Sequence, residues 1–271
     1  MHICTQRERL IQALTKVGGV VEKRQTLPIL GNIHIHADDD VLTFTGTDRE
    51  IEIRTRLAAS VIDPGDITVP ARKFIDICRA VPEDTEITFK LQSQRASITA
   101  GKSRFNLSTL PAEDFPLMET SSGDQSIELE QGMLKELFDK TAFAMANQDV
   151  RYYLNGLFLK VEARGVTAVA TDGHRLAMLV QLVDLPIEEP IQVIVPRKTV
   201  HELNRLLELG GERVRLDLSQ RTLRAVIGDT LLTSKLVDGR YPDYERVIPL
   251  MADKVALLDR DFLRQSLLRT S

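Results

Sequence analysis

At 271 residues, with 43 % hydrophobic and 27 % charged side chains, the chain has material for about two well-cored domains and is too apolar for a disordered protein. No apolar run approaches the roughly 18–20 residues that span a bilayer, and the charged start, Met1 to Leu10, excludes a signal peptide, so a cytoplasmic protein is expected. Net charge is −4, which as an average argues against nucleic acid; Cys4 and Cys78, without CxxC spacing, exclude a disulfide framework and read as small core residues.

The first predicted element is a helix, Thr5 to Lys16, with Leu10, Ile11 and Leu14 on one apolar stripe. Strands with period-two alternation follow (Ile33 and Ile35, Ile51 and Ile53), separated by turns at Ala37 to Asp40 and Gly46 to Asp48. A second helix is opened by Pro70, since proline in the first turn costs no hydrogen bond, and buries Phe74, Ile77 and Cys78. Strands over Glu86–Leu91, Ala96–Ala100 and Arg104–Ser108 close the plan, and Glu119 to Ser126 reads as a solvated linker.

The same plan then recurs. Leu30, Ile33 and Ile35 align with Leu154, Leu157 and Leu159, Thr47-Asp48 with Thr171-Asp172, Val69-Pro70 with Val195-Pro196, and Arg79 with Arg205. The second copy has one helix at Gln131 to Met145 and another opened by Pro196, with strands over Val214–Leu218, Leu223–Ile227 and Leu231–Leu236. A third copy begins after Pro249, where Leu258, Leu263 and Leu267 fall on Leu129, Leu134 and Phe138, and it stops at Ser271, so the chain reads as truncated. The domains expected are 1–124, 125–249 and the start of a third at 250–271, and the fold class is α+β.

Charge is unevenly divided. The predicted helical segments 6–24, 71–80, 132–146, 196–209 and 259–271 carry sixteen cationic and nine anionic side chains, a net of +7 on a chain of −4. A basic class of element on an acidic protein is the footprint of a polyanion-binding surface. With no base-reading motif among the helices, it predicts salt-sensitive, sequence-blind contact with duplex backbone. The bland alternative is that Lys and Arg are good helix formers on solvated faces, but Glu is equally good and is placed elsewhere.

The stretch Thr171-Asp172-Gly173-His174-Arg175-Leu176-Ala177 lies between two strand-like runs and gathers Asp, His and Arg. A hydrolase using Asp172 and His174 is one reading, yet no nucleophile has a supporting motif, no phosphate-cradling loop occurs and no residue cluster has metal spacing. No cofactor is implied. Because Thr-Asp recurs at 47–48, it reads as a turn of the scaffold, with Gly-His-Arg-Leu particular to the second copy. An interaction scaffold without a DNA role is the other alternative.

The runs RQTLPILGNIHI (24–35), TGTDREIE (45–52), VPARKFIDICR (69–79), FNLSTLPAEDFP (105–116), QDVRYYLNG (148–156), TDGHRLA (171–177), VPRK (195–198) and SKLVDGRYPDY (234–244) resemble the bacterial sliding clamps, the beta subunits of DNA polymerase III. The resemblance covers the whole chain. It implies repeated DNA-clamp domains, each with two helices packed on antiparallel sheets, in a non-catalytic processivity factor. It also implies a head-to-tail homodimeric ring of three-domain subunits around double-stranded DNA, with the polymerase III catalytic subunit, the clamp loader and other clamp-binding-motif proteins as partners.

By resemblance, DNA contacts map to Arg24, Arg72, Gln148, Tyr152 and Tyr153, with Lys73, Arg79, Arg197, Lys198 and Arg205 added for charge and helix position. Of the adjacent tyrosines, at most one ring is expected to be buried, since neighbours on a strand point to opposite faces. The partner-peptide pocket maps to Leu154, Thr171, Gly173, His174, Arg175, Leu176, Pro242, Arg246 and Val247. Lys73, Phe105 and Leu107 map to the first-domain face of the dimer interface. With the third domain absent, Phe105 and Leu107 are expected to be exposed, and ring closure and peptide affinity to be weakened.

Overall fold

The computed structural model describes residues 1–21, 27–92, 95–119, 125–249 and 254–270. Two units are distinguished, Met1–Gly239 and Arg240–Ser271.

In the first unit the chain starts as a strand rather than a helix: β1 (His2–Gln6) precedes α1 (Arg7–Gly18). The helical stripe is Leu10, Ala13, Leu14 and Val17, spaced to form one buried face. The predicted start at Thr5 fails because Ile3 and Thr5 are buried and pair with Phe89 and Ile87. There follow β2 (Asn32–Asp38), β3 (Val41–Thr47), β4 (Ile51–Ala58), β5 (Ser60–Asp63) and β6 (Gly65–Pro70). Asp39 and Asp40, both with positive φ (46° and 58°), make the β2–β3 turn, as a two-residue hairpin loop requires. Next come α2 (Ala71–Ala80), β7 (Glu86–Gln92), β8 (Arg95–Ala100) and β9 (Ser103–Ser108). Pro70 is the last residue of β6 and the N-cap of α2, one position earlier than predicted.

The plan repeats in β10 (Gln125–Glu130), α3 (Gln131–Thr141), β11 (Gly156–Glu162), β12 (Gly165–Thr171), β13 (Leu176–Leu182), β14 (Ile191–Pro196), α4 (Arg197–Leu206), β15 (Arg213–Leu218), β16 (Thr222–Ile227) and β17 (Thr230–Lys235). The helix predicted to reach Met145 ends at Thr141 and continues as a 3-10 turn, Ala142–Ala144. Every strand pairing is antiparallel. The sheets are β5-β1-β7-β8-β9, β10-β15-β16-β17-β4-β3-β2-β6 and β13-β12-β11-β14.

The eight-stranded sheet crosses from one copy to the other through β4 and β17. Five residue pairs form there, from Thr230 with Thr55 to Ser234 with Ile51. One apolar core, built from Leu, Ile, Val and a few Phe, runs beneath both copies. Cys78 lies fully in it, whereas Cys4 is only half-buried and sits 3.5 Å from the Thr88 hydroxyl. Leu107 is buried and Phe105 packs against the core, so the exposure expected for these two does not occur; their side chains are held by their own domain.

The second unit contains a 3-10 turn, Tyr244–Val247, and α5 (Arg260–Leu268), capped by the Asp259 carboxylate on the Phe262 N–H at 2.8 Å. Phe262, Leu263, Leu267 and Leu268 of α5 are all exposed. No helix among the described residues is long and apolar enough to cross a membrane.

Candidate nucleic-acid interface and peptide pocket

The two Thr-Asp turns are the same structure built twice. In the first copy the Thr47 hydroxyl donates to the Ile51 carbonyl and accepts from the Arg49 N–H, while Asp48 Oδ1 accepts from the N–H groups of Glu50 and Ile51. In the second, Thr171 donates to the Arg175 carbonyl and accepts from the Gly173 N–H, and Asp172 Oδ1 accepts from His174 and Arg175. The third position has φ of 78° at Arg49 and 87° at Gly173. Both Asp172 oxygens are occupied, since Arg175 Nε donates to Oδ2 at 3.0 Å. Hydrogen bonds from the His174 and Arg175 N–H groups and the Arg175 side chain hold the Asp172 carboxyl below the usual range. The carboxylate is committed to the turn and makes no pair with the His174 ring, which removes the basis for a hydrolase.

What differs between the turns is their dress. His174 and Arg175 are exposed, Leu176 is half-buried, and the Arg175 guanidinium lies 5.7 Å from the centre of the exposed Phe143 ring. A neighbouring loop is tied to this one by Arg151, which donates to the Asp172 carbonyl at 3.2 Å and to Asp149 at 2.8 and 3.0 Å. These bonds, the side-chain contact foremost, push the Asp149 carboxyl down to about 2. The role of Asp149, Arg151 and Phe143 was missed in the sequence. An Asp two residues before an Arg, whose N–H it accepts, is the one local signal.

Gln148, with φ of 57°, is exposed at the start of that loop. Tyr152 and Tyr153 form a 3-10 turn with Leu154, not a strand, so the opposite-face expectation does not apply. Tyr152 is exposed, Tyr153 is half-buried, and the rings meet edge to face with centroids 5.7 Å apart. Leu154 is buried, like its counterpart Leu30, and so supports the loop from below rather than walling a surface pocket. Pro242, Arg246 and Val247 belong to the second unit, where all three are exposed and Arg246 pairs with Asp243 at 2.7 Å.

The helix cations divide into two groups. Arg72, Lys73 and Arg79 on α2 are exposed, and among the described residues none has an ion-pair partner. Arg72, Arg79 and Arg205 border a groove of about 400 Å³ floored by Ala71, Ile75 and Gly18. The cations of α4, by contrast, are bonded within the protein. Arg197 donates to the Met145 carbonyl at 2.9 Å, Lys198 to Asp48 Oδ2 at 2.5 Å and the Val20 carbonyl at 3.1 Å. Arg205 donates to the carbonyls of Thr15 and Lys16 at 3.0 and 2.7 Å. Arg197, Lys198 and Arg205, named for charge and helix position, thus already have carbonyl or carboxylate acceptors, which those two properties do not reveal. Arg24 lies outside the described residues.

With this geometry in hand, comparison with known proteins is decisive. The DNA polymerase III beta subunit, N-terminal domain, matches residues 1–119, and the central domain of the same subunit matches 128–243. The beta sliding clamp of Pseudomonas aeruginosa is 48 % identical over 272 residues, covering 100 % of this chain and 74 % of the relative. The chain belongs to the beta sliding clamp family. The crystal structure of the polymerase III beta subunit from P. aeruginosa superposes with a TM-score of 0.96 at 48 % identity, over 100 % of this chain and 74 % of that one. A P. aeruginosa sliding clamp bound to griselimycin gives 0.95 at 48 % identity, over 100 % and 73 %. This is a family of non-catalytic processivity factors in DNA replication, which excludes both the hydrolase and the scaffold without a DNA role.

Proposed function

We propose that this sliding clamp holds duplex DNA through non-specific phosphate contacts made by Arg72, Lys73 and Arg79 on α2, by Arg24, and by Gln148, Tyr152 and Tyr153 of the loop that follows α3. The observation that carries this reading is that the exposed α2 cations have no ion-pair partner among the described residues, which leaves their charge available to a polyanion. A ligand contacted only through phosphates is held without reference to sequence, as a sliding ring requires.

The exposed Gly173, His174 and Arg175, with Thr171 and Leu176, form one side of a site for a linear peptide from the polymerase III catalytic subunit, the clamp loader or other clamp-binding-motif proteins. Leu154 lies beneath it, and Pro242, Arg246 and Val247 are proposed, by resemblance to the family, as further peptide-contacting residues. The griselimycin-bound relative supports ligand binding by this fold. The working organisation is three clamp domains, 1–124, 125–249 and one starting at 250, in a cytoplasmic homodimeric ring in which Lys73, Phe105 and Leu107 serve the first-domain face.

Duplex binding titrated with salt tests the DNA assignment. The expected result is equal affinity for unrelated sequences, falling with salt, and reduced by Arg72→Glu. Binding that prefers one sequence, or is indifferent to that reversal, contradicts it. Loss of fluorescent clamp-motif peptide binding in Arg175→Ala, with duplex binding retained, separates the two sites.

A further inference from the structure

The face of the eight-stranded sheet that looks away from the core carries a cleft that neither the duplex reading nor the peptide reading uses. Alternation along the strands fixes which side chains reach it. Ile51, Ile53, Leu223, Ala225 and Leu232 point into the core. Their neighbours, Arg54 and Arg56 on β4, Arg224 and Val226 on β16 and Leu231 on β17, therefore lie on the opposite face. Registers bring them together: Leu231 stands between Arg54 and Val226, and Thr233 stands between Glu52 and Arg224.

The cleft holds about 330 Å³ and straddles the seam, since Arg54 and Arg56 come from the first copy and Arg224 from the second. Three guanidinium groups line it against one carboxylate, that of the exposed Asp229. The Asp229 carbonyl accepts from the Arg56 N–H at 3.1 Å, which ties the β16–β17 turn to β4. Two further carboxylates near the cleft are already engaged. Glu52 accepts from Arg54 Nη2 at 3.0 Å and from the Met118 N–H at 2.8 Å. Asp217, opposite Arg224 on β15, accepts from the Ser126 hydroxyl at 2.8 Å and pairs with Arg215 at 3.4 Å.

Two of the cations are short of acceptors. Arg54 Nε is buried and has no hydrogen-bond partner among the described residues, a costly state for an ionised donor. Arg56 is exposed, and among the described residues its side chain makes no hydrogen bond or ion pair. Like charge gathered in a cleft with apolar walls, here Leu231 and Val226, focuses a positive potential. Guanidinium forks also match the oxygens of a phosphate group in geometry.

We propose that this cleft binds the phosphate group of a small molecule, held by Arg54, Arg56 and Arg224 across the junction of the two copies. The site lies on the opposite side of the sheet from the core that the helices cover, so it is separate from the cations of α2. A ligand held from both copies also braces their seam, and binding to the folded state alone raises its melting temperature.

NMR titration of the 271-residue chain with inorganic phosphate, pyrophosphate and ADP at constant ionic strength tests the proposal. Saturable shifts are expected at the amides of Arg56, Gly228, Asp229 and Leu231, with a rise in melting temperature. Tighter binding of ADP than of pyrophosphate places the phosphate on a nucleotide lying against Leu231 and Val226; binding no tighter places it on the free anion. Arg56→Gln, a change at an exposed position, should weaken binding about tenfold or more, as loss of a charge-assisted contact does, and should leave duplex binding unchanged. Arg54→Gln should weaken it likewise, with circular dichroism checking that the variant folds. Shifts that fail to saturate, shifts that chloride reproduces, or binding that both variants retain overturn the proposal.

Discussion

Helices α2 and α4 are built from one plan and spend it differently. Both follow a proline N-cap, bury one apolar face and carry three basic side chains at corresponding or neighbouring positions. On α4 all three cations are bonded: Arg197 to its own copy, Lys198 and Arg205 across the seam to α1 and the Thr47-Asp48 turn. On α2 the cations are exposed and unpaired among the described residues. Equal charge on equal elements thus serves cohesion in one place and leaves a field available to a polyanion in the other.

The largest expected effect that distinguishes the helices is on stability. Arg205→Ala and Lys198→Met should each cost about 1.5–3 kcal/mol, the range for hydrogen bonds to charged groups, whereas Arg72→Ala and Arg79→Ala should change stability by less than about 0.5 kcal/mol, as exposed substitutions do. Urea unfolding checks this, and equal losses on both helices would erase the contrast.

A smaller effect separates the two Thr-Asp turns. Gly173→Ala places a Cβ at φ of 87° and 3.1 Å from the Arg151 guanidinium. It should cost about 1 kcal/mol through left-handed strain and shift the NMR signals of 148–153 through Arg151. Arg49→Ala, already non-glycine at the same φ, should leave its loop unchanged.

The smallest effect is a pH dependence confined to the second copy. The Asp149 carboxyl titrates at about 2, below the ordinary value near 4. Its contribution is complete above the unfolded-state value and is lost as pH falls through about 2. Carboxyl NMR should therefore show the Asp149–Arg151 pair intact at pH 4, and Asp149→Asn should abolish that transition. A midpoint near 4 would contradict the pairing.

Much of this was legible in the sequence for a physical reason. The repeat fixes hydrophobic spacing and turn chemistry twice, so Ile33 and Ile35 confirm Leu157 and Leu159, and Gly101 confirms Gly228 at a left-handed turn position (φ of 56° and 52°). The Thr-Asp turn could be recognised as scaffold because it recurs. Illegible were properties set by a distant partner. The strand at His2–Gln6 exists because β5 and β7 pair with it. The bonds of Lys198 and Arg205 depend on residues 150 or more positions away, and the burial of Leu107 depends on which domain holds it.

Salt-dependent duplex binding by two matched variants tests the division of charge most directly. One neutralises Arg72, Lys73 and Arg79, and the other neutralises Arg197, Lys198 and Arg205, studied where it remains folded. The account predicts that the first set flattens the logarithmic salt slope by about one for each cation that contacts phosphate, and that the second leaves the slope unchanged. Equal flattening by both sets, or flattening by the α4 set alone, would contradict it.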